Sequence, residues 1–201
     1  MEAVAVIDFE TTGMSPDMGD RATEVAVIMV SGGSIVDRYQ SLINTGAYIS
    51  AFITELTGIT NAMVRSAPPA AQVMKELAEF VGEVPLVAHN ASFDSKFLDA
   101  EWLRIGRHRQ QEFACSMLLA RRIYPDSPNH KLGTLVQYLE LPDTARHHRA
   151  LADAEMTAQL WLRMGADLKQ QYDLRSAPHE LLRNLQKVPK AKIASYLEKH
   201  G

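Results

Sequence analysis

The sequence predicts an α/β fold: a mixed five-stranded sheet flanked by helices. Three observations carry this. Residues 3–9 (AVAVIDF) are almost entirely apolar and β-rich, as in a strand buried on both faces. Two β-branched runs, 22–31 and 34–44, meet at Gly32-Gly33 and read as an antiparallel hairpin. From Pro69 onward, helical and strand stretches alternate before the chain turns wholly helical.

The elements follow in order. The first strand ends at Thr11-Thr12-Gly13, a turn sequence, and a short helix runs from Ile49 to Thr57 and stops at Gly58. Pro69 opens a helix to about Val81, with Val73, Leu77, Phe80 and Val81 on one face. Residues 84–88 (VPLVA) read as a short buried strand. The next stretch places Phe93, Phe97, Trp102 and Ile105 at helical spacing. A brief strand at 113–115 precedes three helices: one ending at Tyr124-Pro125, one over 131–138, and one over 149–164. Residues 1–166 therefore form one α/β domain. Residues 167–201, polar and broken at Pro178 and Pro189, form a helical C-terminal extension.

Composition narrows the class. With 201 residues, 46% of them apolar and 22% charged, the chain can bury a core without staples, and collagen, fibrous repeats and disorder are excluded. A single cysteine, Cys115, cannot form an internal disulfide. The opening MEAVAVIDFE lacks the layout of a signal peptide, so a reducing cytoplasm is expected. No apolar run approaches the roughly 20 residues that cross a bilayer, which excludes a membrane span. The net charge of -3 hides an asymmetry: residues 1–60 carry eight acids against two bases, whereas 167–201 carry seven bases against four acids. An acidic part beside basic parts suits a protein that holds cations in one place and a polyanion next to it.

The acids fall in a pattern. Period-two alternation puts Val4, Val6, Asp8 and Glu10 on one face of the first strand, so two carboxylates continue an apolar row. Charges buried there need compensation, and two acids facing one way favour a divalent metal over an ion pair with Arg21. Asp94 stands in the first turn of its helix, where the dipole alone would justify it. Asp153 heads an apolar stripe made by Met156, Thr157, Leu160 and Met164. His148 lies just before that helix, where it can approach the site Asp153 faces and act as a base. Asn90, at a strand–helix junction, is an N-cap candidate.

Together, DFETTG at Asp8, HNASFD ending at Asp94 and HHRALADA from His147 resemble, in order, the three motifs of the DEDD exonucleases, histidine subclass. The segments LTGIT, LARRIYP and HKLGTLVQYLEL between them are also similar to that family, and the likeness covers about residues 3 to 165. It implies a ribonuclease H-like exonuclease fold. It also implies a site in which Asp8, Glu10, Asp94 and Asp153 hold two Mg²⁺ or Mn²⁺ ions and His148 is the general base, releasing nucleoside 5′-monophosphates. Thr11, Thr12 and Gly13 would lie against the terminal nucleotide, and Asn90 is counted with them as a substrate-binding candidate. Glu24 matches a recurring family acid with no role assigned. The implied substrate is the 3′ end of single-stranded or frayed DNA, in proofreading or repair, with RNA as the alternative. A polymerase or another protein partner would dock through the extension. A scaffold that binds nucleic acid without cleaving it is the competing class.

Overall fold

The computed structural model describes residues 2–142 and 149–200. The strands are β1 (Val4–Thr11), β2 (Ala22–Ser31), β3 (Ser34–Leu42), β4 (Leu86–Ala88) and β5 (Phe113–Cys115). They form one five-stranded sheet in the order β3-β2-β1-β4-β5. β1 pairs antiparallel with β2 and parallel with β4, and β4 pairs parallel with β5. The C-terminal ends of β1, β4 and β5 therefore open at the same edge, where α/β sheets place their sites.

The helices are α1 (Ala51–Thr57), α2 (Asn61–Arg65), α3 (Ala70–Val81), α4 (Ser92–Arg104), α5 (Ser116–Ile123), α6 (Leu132–Tyr138), α7 (Ala150–Tyr172), α8 (His179–Leu185) and α9 (Ile193–His200). Alternation along β1 divides the core as the sequence predicts. Val4 and Val6 join Ala154, Leu160, Trp161 and Met164 of α7 on one side of the sheet. Ala5, Ile7 and Phe9 pack with Val73 and Leu77 of α3 and Leu98 and Trp102 of α4 on the other.

Several boundaries differ from expectation. β1 runs two residues further, through Glu10 and Thr11, because antiparallel pairing with β2 continues past Phe9 and ends in a register shift between Glu10 and Thr11. The short helix α2 was not expected; the Thr60 side chain caps it by accepting the Met63 N–H. Phe80 is half-buried, tilted against Tyr39 with ring centroids 5.5 Å apart. Asn90 is not the N-cap of α4, a place held by Ala91; it sits at φ 68°, turning the chain out of β4 in the left-handed region that asparagine tolerates.

The largest difference is α7. Gly165 does not end it, because the residue is buried and Leu168 beyond it continues the apolar stripe. The division expected at residue 166 falls inside this helix. The residues after it share the core: Leu181, Leu182, Leu185, Ile193 and Leu197 belong to the cluster that contains β1 and α7. α8 packs along β5, the edge strand, and residues at its two ends supply polar anchors. Nε2 of His179 donates to the Leu86 carbonyl at 2.9 Å, and the Gln186 side chain accepts the Cys115 N–H at 2.9 Å.

Candidate active site

Three carboxylates meet at the end of β1. Ligand oxygens of Asp8, Glu10 and Asp153 all lie within 4.8 Å of one another. Strand alternation points Asp8 and Glu10 toward α7, and Asp153 comes from that helix's first turn. Asp94 stands beside this group on the first turn of α4. Only 2% exposed, it accepts the backbone N–H of Phe9 at 3.1 Å. The structure thus brings Asp8, Glu10, Asp94 and Asp153 together, with three of them close enough to share one cation. His148, the predicted base, lies outside the described residues.

The electrostatics fit a cation. Burial, then the charges of Asp94, Asp153, Glu10 and Glu24, push the Asp8 carboxyl far above the ordinary carboxylate range. Burial and neighbouring acids, Asp153 first, push Glu10 up to about 8. Burial likewise raises Asp94 to about 8, against hydrogen bonds that favour its charged form. Carboxyls that resist ionising when alone become ligands when positive charge is supplied.

Glu24 explains how the cluster is held. It is Glu10's direct partner across β1 and β2, and it is fully buried. Its carboxylate accepts from Nε and Nη2 of Arg149, at 3.1 and 2.7 Å, from the Ala150 N–H at 3.1 Å and from the Gln40 amide at 2.8 Å. The first turn of α7, which carries Asp153, is tied by this acid to β2, the strand beside the carboxylates of β1. The sequence assigned no role to Glu24, although Glu24 begins the apolar row Ala26, Ile28, Val30 as Asp8 and Glu10 end the row Val4, Val6. Arg149 gave no such signal. Arg21, the sequence's nearest cation, instead grips Glu101 of α4 at 2.7 and 2.9 Å.

The turn residues after the strand are internally engaged. The Thr11 hydroxyl donates to the Gly13 carbonyl at 2.6 Å, and Thr12 Oγ1 accepts the Arg21 N–H at 3.0 Å. A Cβ at residue 13 would meet the Asp20 carboxylate, so a larger residue there has to displace that side chain from its bond with the Ser15 N–H. Asn90 is exposed at the end of β4.

A cavity of about 590 Å³ opens beside the carboxylates, lined by Asp8, Asp153, His89 and the start of α6 from Lys131 to Thr134. His89 fixes that wall. Its Nε2 lies 3.0 Å from the His130 carbonyl, which can only accept, so Nε2 carries the hydrogen and Nδ1 accepts from the Ser116 hydroxyl at 2.9 Å. Burial pushes its pKa down to about 4, so the ring is neutral near pH 7.

Clustered acids at the open end of a central strand, beside a cavity walled by a helix start and a neutral histidine, suit a cation-dependent hydrolase, and the family to which the chain belongs makes it a DnaQ-like 3′–5′ exonuclease. The exonuclease family (RNase_T) matches residues 5–161, and the chain belongs to it. It is 39% identical over 168 residues to the PolC-type DNA polymerase III of Bacillus cereus, and 41% identical over 160 residues to that of Oceanobacillus iheyensis. These matches take in 83% and 79% of this chain but only 12% and 11% of the relatives, so the chain spans about a tenth of their length. Among solved structures it is similar to exonuclease X in complex with 5′-overhanging duplex DNA, with 28% identity and a TM-score of 0.71 over 91% of this chain and 99% of that one. Escherichia coli exonuclease I with a dT13 oligonucleotide shares the fold, with 15% identity and a TM-score of 0.74 over 86% of this chain and 43% of that one.

Proposed function

We propose that the chain removes nucleoside 5′-monophosphates one at a time from the 3′ end of single-stranded or frayed DNA, in the cytoplasm, in proofreading or repair. The observation that carries this is the convergence of Asp8, Glu10 and Asp153 within 4.8 Å, with Asp94 beside them. In this reading those four acids hold two Mg²⁺ or Mn²⁺ ions. Bound there, the ions would supply positive charge against the charge that develops on the phosphate and would lower the pKa of an attacking water. Glu24 and Arg149 hold the α7 carboxylate against the strand carboxylates. His148, the residue before Arg149, takes the water's proton as a neutral imidazole. The turn Thr11-Thr12-Gly13 and Asn90 receive the terminal nucleotide.

DNA is favoured over RNA because relatives of 39–41% identity are DNA polymerases and the exonuclease X complex contains DNA. Those polymerases also support association with a replicative polymerase, through residues 167–201 or as part of a longer chain.

The test is release of mononucleotides from matched 5′-labelled DNA and RNA strands in Mg²⁺, Mn²⁺ or EDTA, comparing the protein with Asp8→Ala. The expected result is a product ladder shortening from the 3′ end, faster on DNA, and absent in EDTA and in the variant. Faster loss of RNA would move the substrate to RNA. No cleavage of either strand would leave the scaffold.

A further inference from the structure

The turn after α8 carries Lys187, Lys190 and Lys192 in a stretch, residues 186–192, that contains no acid. All three lysines are exposed, and among the described residues none of them is in an ion pair. Several arginines are engaged instead: Arg109 with Asp99, Arg21 with Glu101, Arg183 with Glu112.

The turn is built into the fold. Leu185 before it and Ile193 after it are buried in the α7-side core, and Val188 packs half-buried against the same cluster. Its backbone is closed by hydrogen bonds from Lys187 to Asn184, Val188 to Leu185 and Lys192 to Pro189. Three charges thus stand on a fixed scaffold, so less chain entropy is lost when they bind a ligand.

Its position follows from the sheet register. Val6 pairs with Val87, and Ala88 with Cys115, so β5 ends level with Ile7, one residue before Asp8 and two strands across. At the usual strand spacing that is about 10 Å. Gln186 is hydrogen-bonded to Cys115, which brings the lysine turn to the end of the sheet that holds the carboxylates. Lys131 stands on the cavity wall, and Arg121 of α5 is near enough to help lower the pKa of His89, so further cations border the site. α5 in turn packs against α8.

We propose that Lys187, Lys190 and Lys192 form a phosphate-binding platform for the nucleic acid strand, contacting backbone phosphates a few nucleotides from the end being removed. This rests on the exonuclease reading for its substrate. Four carboxylates carry no net positive charge even with two divalent ions bound, so affinity for the rest of the strand has to come from cations placed beside them. A protein partner is the weaker fit, because the stretch exposes no large apolar or aromatic side chain, and lysine is depleted in protein interfaces.

The test is binding of a fluorescent single strand of about 20 nucleotides, longer than a small domain covers, measured by anisotropy in EDTA across a salt series. The protein is compared with Lys187→Gln/Lys190→Gln/Lys192→Gln, and thermal melting checks that the variant is folded. Losing three phosphate contacts should weaken binding about tenfold and flatten the plot of log affinity against log salt by about 2. A folded variant with the affinity and salt slope of the parent protein overturns the platform and leaves the lysines to a protein partner or to solvent. Cleavage is scored separately: altered binding by a protein that cleaves nothing upholds the platform and removes the exonuclease. Cleavage with an unchanged salt slope does the reverse.

Discussion

Glu24 and Arg149, 125 positions apart in the chain, meet in a two-armed ion pair, with Nη2 to Oε1 at 2.7 Å and Nε to Oε2 at 3.1 Å. Glu24 faces Glu10 across the sheet, and Arg149 directly precedes the helix that carries Asp153. Replacing Glu24 by Gln keeps the shape and removes the charge. Arg149 is 32% exposed and can turn to water, so the cost should be about 2 kcal/mol, below that of stranding a fully buried charge. Melting should fall by about 4 to 8 °C. Cleavage should fall about 10- to 100-fold, as for groups that orient metal ligands, and reach half its maximum only at a higher metal concentration. Arg149→Lys should lose part of the same activity, since an ammonium cannot span both oxygens. A lowered melting temperature with undiminished cleavage would reduce the pair to a structural tie.

The carboxylate cluster makes metal-free stability depend on pH in a definite direction. Asp8, Glu10 and Asp94 have native pKa values raised above those of the unfolded chain. Between about pH 4 and 8 the native state therefore holds more protons than the unfolded state, and the stability these groups give is lost as pH rises through that window. His89 works oppositely. Its native pKa of about 4 lies below the ordinary 6.5, so its contribution is present above 6.5 and lost as pH falls toward 4. Above pH 6.5 only the acids remain. The expected result is a melting temperature in EDTA that falls from pH 6.5 to 8.5, and that Mn²⁺ or Mg²⁺ raises most at the alkaline end. Asp8→Asn should flatten the EDTA profile while abolishing cleavage. A flat profile in the unaltered protein would mean the acids do not repel one another as their packing requires.

What the chain discloses about this site is local. Alternation along one strand is enough to aim Asp8 and Glu10 together, and helical spacing puts Asp153 on the face that packs against them. Asp94 was legible only through the likeness of HNASFD to the family's second motif, because the Phe9 N–H that it accepts lies 85 positions away in the chain. The pairing of Glu24 with Arg149 and of Arg21 with Glu101 had no signal, because it depends on which helix lies across which strand. Asn90 was misjudged for a related reason. Its type suits a cap, but the chain leaves β4 so sharply that a left-handed residue was needed there first. The end of α7 was obscured by Gly165, whose cost in a helix is offset by burial against the core.

The residues after Tyr172 offer the last prediction, because their composition suggests an appendage and their packing does not. Leu181, Leu182, Leu185, Ile193 and Leu197 are all buried in the cluster that contains β1 and α7. At about 1.5 to 3 kcal/mol for each large side chain, their burial is worth roughly 7 to 15 kcal/mol, comparable to the whole stability of an ordinary domain. The unfolded chain already buries part of this surface, yet even half of that figure is decisive. α8 also covers the sheet edge, so its loss would expose β5 and the Cys115 N–H to pairing with another chain. A protein cut after Tyr172 should therefore be insoluble, or soluble without a cooperative melt or a near-ultraviolet circular dichroism signal. A soluble fragment that melts cooperatively and still cleaves would show that the carboxylate site needs only the first seven helices and the sheet.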